Sequence, residues 1–214
     1  QGETIKDLTV DMCFKIGTET AKLHLLTKKM KLSRKNSLSV KSWINMYSKL
    51  EKKINQNDKK LISFNLLDVE KNWPQNLPIG IIHGDIFWDN IIFFNNEVNG
   101  IIDYTFSCSD FYAYEIAICI NSIGFDKKNN GMEFNKSKTL GFLKGYEKIR
   151  KINQNEKNAL QILCKGASLR FLLTRLIDFN TKNNDAIVTV KDPNEFLDKL
   201  KFFQKNLVSE IIFK

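Results

Sequence analysis

Three oxygen-bearing side chains near the middle of the chain, Asp85, Asn90 and Asp103, are the residues best suited to chemistry. The first two belong to the octet His83-Gly84-Asp85-Ile86-Phe87-Trp88-Asp89-Asn90, and the third closes the apolar run Val98-Asn99-Gly100-Ile101-Ile102. A carboxylate beside a hydroxyl can orient it and accept its proton. An amide oxygen and a second carboxylate suit a hard cation such as Mg²⁺, which takes oxygen ligands. An acid, an Asn five positions on and a second Asp after a short hairpin are the parts that phosphoryl transfer requires, since that reaction needs mainly positioning and charge neutralisation. His-Gly-Asp alone is a common turn, and Asp and Asn favour loops for backbone reasons. The ordered conjunction of tripeptide, Asn, apolar flanks and second Asp favours chemistry over a plain turn.

Such a constellation needs elements to hold it. Residues 79–82, 91–94 and 98–102 are short runs rich in Ile, Val and Phe and read as buried strands. Asn95-Asn96-Glu97 is a turn signal. A hairpin symmetric about Asn96-Glu97 would set Asn90 opposite Asp103, with Cα atoms roughly 4.5–5.5 Å apart, a spacing suited to two ligands on one cation. Helical spacing of apolar residues predicts helices over 9–30, 40–54, 61–73 (stopped by Pro74 and Pro78), 135–149 and 156–179, and a last one from Pro193 to about Leu207. Residues 111–123 are apolar almost all round and predict a buried helix. Loops are expected at 55–58 and 126–131, with a connector over 181–190. The fold class is α+β, mostly helical with a small β-hairpin insertion, in one domain over 1–214, without internal repeats.

The chain has 214 residues, 43% of them hydrophobic, which suffices for one sizeable core. Its formal net charge is +9. The lysines are spread widely, without a concentrated stripe or an aromatic platform, so a solvated basic surface is expected and no nucleic-acid partner. Cys13, Cys108, Cys119 and Cys164 form no CxxC or Cys/His spacing and are expected as buried reduced thiols. No apolar stretch approaches the ~18–20 residues of a membrane span, and no secretory leader pattern opens the sequence. A cytoplasmic protein without a membrane partner is the expectation.

On these residues the chain resembles the aminoglycoside phosphotransferase-like kinases, which share the protein-kinase fold, and among them the kinase-like bacterial homoserine kinases. The resemblance runs over most of the chain. It includes Ile102-Asp103-Tyr104-Thr105-Phe106-Ser107-Cys108-Ser109-Asp110, Gly166-Ala167-Ser168-Leu169-Arg170-Phe171-Leu172-Leu173-Thr174-Arg175-Leu176 and Lys191-Asp192-Pro193. It implies the C-terminal lobe of a kinase-like fold, with Asp85 as catalytic base, Asn90 and Asp103 as metal ligands, ATP and Mg²⁺ as cofactors, and L-homoserine of threonine biosynthesis as the substrate. An amino-acid substrate asks for a cation to meet its carboxylate and an acid to meet its ammonium; Arg170 or Arg175 and Asp110 are the candidates. The two arginines lie about 140° apart around a helix, so only one can point squarely into a pocket. Asp110 has an alternative as a helix N-cap, and Glu115 as a buried structural acid. His83 is expected to brace the loop and His24 to be a packed helical residue. The chain departs from the resemblance at Gly84, Tyr104, Ser109 and Glu115, the last two beside the expected pocket. No Gly-rich phosphate loop or matching lysine strand is present, so an N-terminal lobe of the same polypeptide is expected to lie outside this chain, and its nucleotide-binding residues are unassigned. Two alternatives stay open: a kinase of another amino-alcohol or aminoglycoside, and a non-catalytic kinase-like interaction domain.

Overall fold

The computed structural model describes residues 2–30, 32–181 and 191–213, with nothing described for the side chain of Thr181. Most of the expected connector at 181–190 therefore lies outside the described residues.

The first helix, α1 (Val10–Lys28), starts where Thr9 accepts a hydrogen bond from the Met12 amide, a side-chain N-cap. α2 (Val40–Leu50) follows and tightens into a short 3-10 turn over Glu51–Lys53. α3 (Gln56–Asn72) begins earlier than the apolar spacing indicated. The Asn55 side chain accepts from the amides of Asn57 and Asp58, so the expected loop at 55–58 is a capped first turn.

β1 (Ile79–Ile82) pairs antiparallel with β4 (Cys108–Phe111), setting Ile82 against Cys108 and Ile79 against Phe111. Between them lies the hairpin of β2 (Ile91–Phe94) and β3 (Glu97–Ile101). Its register differs from the symmetric expectation. Phe94 faces Glu97 across a two-residue turn in which Asn95 and Asn96 both have positive φ (48° and 61°), a geometry that Asn tolerates and that matches strand twist. Asn99 is then an extra residue, because Phe93 pairs with Val98 while Ile92 pairs with Gly100. Asn90 consequently accepts a bond from the Ile102 amide (3.0 Å), and Asp103 stands one residue beyond the position opposite it.

α4 (Tyr112–Ile123) leaves β4 directly and is buried along almost its whole length. The expected loop at 126–131 is instead part of a second hairpin, β5 (Phe125–Lys128) with β6 (Gly131–Phe134). Phe125 and Phe134 form its inner pair and pack on Phe202 and Phe203. Tertiary apolar contact thus makes a strand of a segment whose own sequence is mostly polar. α5 (Lys136–Ile149), α6 (Gln154–Thr181), α7 (Asn194–Lys205) and the unexpected short α8 (Val208–Ile212) complete the order.

α1 and α5 meet backbone to backbone. A Cβ at Gly145 would lie 1.8 Å from the Phe14 carbonyl oxygen, so only glycine allows this approach. A continuous apolar core runs under α1, α4, α5, α6 and α7, with Trp43 wholly buried against Trp73 and Tyr114. The four cysteines are free and buried in it, as their sequence settings implied. Among the described residues, no helix is long and apolar enough to cross a membrane.

Candidate active site

The loop from β1 to β2 is held from three sides. Gly84 has φ +80°, a value that glycine adopts without strain, and it turns the chain so that Asp85 follows half-buried. From below, the fully buried Glu115 of α4 accepts from the His83 amide in a short bond and from the Gly84 amide (3.1 Å). From α6, Arg170 donates from its guanidinium to the Gly84 carbonyl in a second short bond. Its guanidinium carbon lies 4.5 Å from the ring centre of Phe171 and 5.4 Å from that of Phe106. Farther along the loop, Phe87 packs edge-on against Phe171 (4.9 Å) and near Phe196, and Asp89 pairs with Lys191 (2.6 Å).

His83 ties the two halves of the site together. Its Nδ1 accepts from the Asp85 amide (3.2 Å), and its Nε2 lies 2.9 Å from the Ile102 carbonyl, one residue before Asp103. These partners select the neutral tautomer with the proton on Nε2. The ring also stands edge-on to Tyr104 at 4.7 Å.

Asn90 donates from Nδ2 to both the Asp85 carbonyl (2.9 Å) and its carboxylate (3.1 Å). With the amide nitrogen turned to Asp85, the amide oxygen faces the other way. Asp103 is exposed and sits in the left-handed region (φ 62°, ψ 69°), where it opens a short 3-10 turn by accepting from the Thr105 amide (3.3 Å). A non-glycine residue held there costs roughly 1–3 kcal/mol, and such positions cluster at functional sites. Burial pushes the Asp85 carboxyl above the usual aspartate range, against the pull of the charges on Arg170 and Lys191. The Asp103 carboxyl moves the other way, lowered by hydrogen bonds from the Thr105 side chain and amide.

The structure thus brings Asp85 and Asn90 into direct contact and links Asp103 to them through the Asn90–Ile102 and His83–Ile102 bonds. Among the described residues, no group of three His, Cys, Asp or Glu side chains forms a closed metal cage.

The candidate substrate residues are engaged by the protein itself. Arg170 holds Gly84, and Arg175 bonds to the Asp192 carbonyl and the Glu195 carboxylate, both at 2.7 Å. Asp110 lies in β4 and accepts from the Asn36 side chain (2.6 Å) and the Phe111 amide (2.7 Å). Burial raises its carboxyl despite these bonds. It does not cap α4, whose cap residue is Phe111 with no side-chain bond. Glu115, expected beside the pocket, points instead into the loop's amides. Its carboxyl is lowered overall: burial raises it, and the nearby imidazoles of His24 and His83 together with the Gly84 amide outweigh that. Its place in the first turn of a mostly apolar helix pointed to the buried structural acid that the sequence offered as its alternative, and that is the role the structure gives it.

Residues 2–151 match the model of a phosphotransferase enzyme family. The chain is 39% identical to a homoserine kinase of Bartonella henselae over 206 residues, 95% of this chain and 64% of that protein. It is 40% identical to a homoserine kinase of Nitrobacter hamburgensis over 198 residues, 91% of this chain and 60% of that one. It therefore spans less than two thirds of the length of either relative. Among solved structures it is similar to a choline/ethanolamine kinase family protein from Mesorhizobium loti (TM-score 0.64, 15% identity, 90% of this chain and 61% of that one). It is also similar to an ethanolamine kinase from Plasmodium vivax (TM-score 0.61, 18% identity, 95% and 62%). These likenesses establish the kinase-like fold.

Proposed function

Since the chain belongs to the phosphotransferase enzyme family, we propose that it forms the catalytic lobe, one domain over 1–214, of an ATP-dependent kinase. In this reading the side-chain hydroxyl of L-homoserine becomes O-phosphohomoserine, a step of threonine biosynthesis. The observation that carries the reading is the linked set of Asp85, Asn90 and Asp103, fastened by His83 across two strands. The names of the relatives at 39% and 40% identity support the acceptor.

Asp85 receives the acceptor hydroxyl. Its carboxylate is fixed by Asn90, so the hydroxyl is aimed before reaction, and orientation is where most of the rate gain arises. A carboxylate is a weak base, so the proton reaches Asp85 late, as the bond to phosphorus forms. The elevated carboxyl of Asp85 makes that transfer easier than at an ordinary aspartate. Asn90 and Asp103 would hold Mg²⁺. One amide oxygen turned away from Asp85 and one exposed carboxylate give a hard donor pair with room for phosphate and water, the usual way proteins bind this ion. When bound, Mg²⁺ neutralises the charge on the transferring phosphate oxygens. Arg170 positions the loop through Gly84, and its charge keeps Asp85 ionised enough to act.

The test is phosphorus NMR of product formed by the full-length polypeptide with ATP and Mg²⁺, offered L-homoserine, choline and an aminoglycoside in turn. O-phosphohomoserine as the strongly preferred product is expected. Preference for either other acceptor overturns the acceptor assignment, and no phosphorylation of any overturns the kinase reading.

A further inference from the structure

A cavity of about 440 Å³ opens beside the loop that carries Asp85. Phe87 and Trp88, the second and third residues after Asp85, form part of its wall. Lys191 joins the two places, since it lines the cavity, pairs with Asp89 and acts by its charge on Asp85. The volume falls in the range of small-molecule sites. Its walls carry seven Lys or Arg against four Asp or Glu, so the cavity favours an anion.

One of those cations is out of place in a purely structural role. Lys199 of α7 is 3% exposed. Among the described residues no carboxylate lies within 4.0 Å of its ammonium; its neighbours are the rings of Phe196 (4.2 Å to the centre) and Phe125 (5.5 Å). The nearby Glu195 carboxylate is already shared between Arg175 (2.7 Å) and Lys127 (3.3 Å). A buried charge without a partner is costly, and it is relieved either by loss of its proton or by a bound counter-ion. Burial pulls the Lys199 ammonium down to about 7, with Glu195 pulling the other way and Arg175 adding to the fall.

We infer that this cavity is the seat of the acceptor's α-carboxylate, with Lys199 as the cation that meets it, while the acceptor's hydroxyl turns toward Asp85. The inference rests on the amino-acid acceptor proposed above and assigns to Lys199 the role first expected of Arg170 or Arg175. Those arginines are held by Gly84 and by Asp192 and Glu195, whereas among the described residues no carboxylate pairs with the Lys199 ammonium. A carboxylate entering here completes an ion pair that the described residues leave unmade.

The test is Lys199→Met, with Lys199→Arg as the conservative variant, in the full-length polypeptide. Lys199→Met should fold, because an apolar chain of similar length fits between Phe125 and Phe196; its melting temperature should equal or exceed that of the parent. It should raise KM for L-homoserine about a hundredfold, the scale expected when one partner of a buried charge pair is lost, and leave KM for ATP within threefold. The preference for L-homoserine over 3-amino-1-propanol, which lacks the carboxylate, should collapse, and Lys199→Arg should recover part of it. An unchanged preference in Lys199→Met, or a melting temperature several degrees lower, overturns the inference and leaves the kinase reading standing. A parent enzyme that does not act on L-homoserine overturns that reading, and the inference with it.

Discussion

At the scale of single residues, Asp85 and Asp103 make opposite demands on their surroundings. Asp85 is drawn inward, where burial raises its carboxyl, and Asp103 is held outward in a left-handed backbone with its carboxyl lowered. An acid that must take a proton and an acid that must stay charged beside a cation need this separation. Asp85→Asn keeps the shape and the bond to Asn90 but removes the proposed proton acceptor. Turnover by the full-length enzyme should fall by about 10³-fold, with the thermal midpoint little changed; near-normal turnover in a steady-state assay would refute the role. Asp103→Gly relieves the left-handed strain while losing the Thr105 cap, so urea unfolding should give a stability within about 1 kcal/mol of the parent. Turnover should nonetheless drop at least a hundredfold. Retained activity, or a large loss of stability, would make Asp103 a structural residue.

At the scale of elements, the site is a loop pinned between a buried helix and a strand pair. Glu115 is the pin from α4. Its oxygens take the amides of His83 and Gly84, and its carboxylate is fully desolvated. Glu115→Gln keeps the size but replaces one acceptor with a donor that faces an N–H group. Denaturant unfolding should show a loss of about 2 kcal/mol, the value of a charged hydrogen bond, and kcat should fall more than KM for ATP. No change in either would free the loop from dependence on α4. Much of this layer was legible in the sequence. The octet, its apolar flanks and the all-apolar 111–123 stretch gave the strand–loop–hairpin–helix order because each has a period or a punctuating residue. The hairpin register was not legible. Asn95-Asn96 and Asn95-Asn96-Glu97 are both plausible turns, and the extra Asn99 that restores alignment has no local signal. The β5–β6 hairpin escaped for a different reason: the partners that bury Phe125 and Phe134 come from α7, far along the chain. Among the candidate site residues, Asp85, Asn90 and Asp103 could be picked out because their spacing is local, whereas the partners of Arg170, Arg175 and Lys199 depend on how α6 and α7 pack.

At the scale of the whole molecule, buried titratable groups make stability depend on pH, and His24 is the one that acts between pH 7.5 and 5.5 through an imidazole. His24 is fully buried between Tyr112 and Tyr146, its Nδ1 2.7 Å from the Tyr146 hydroxyl. Burial lowers its pKa below 6.5, with Arg150 adding to the fall while Glu115 and Glu156 oppose it. The unfolded chain binds a proton near 6.5 that the folded protein refuses, so stability is full above that pH and declines as pH falls through and below it, by at most about 1.4 kcal/mol per unit. The lowered carboxyl of Glu115 extends the loss below 4.5, whereas the raised carboxyl of Asp85 offsets part of it there. Urea midpoints should therefore decline from pH 7.5 to 5.5, and less steeply in His24→Gln; equal slopes would remove His24 from the account. The central claim, that Asn90 and Asp103 share a cation before Asp85, is tested most directly by a crystal structure of the full-length polypeptide with Mg²⁺ and a non-hydrolysable ATP analogue. The expected result is one Mg²⁺ within about 2.1 Å of the Asn90 amide oxygen and of an Asp103 carboxylate oxygen. A magnesium ion ligated by neither side chain, with nucleotide bound, would contradict it.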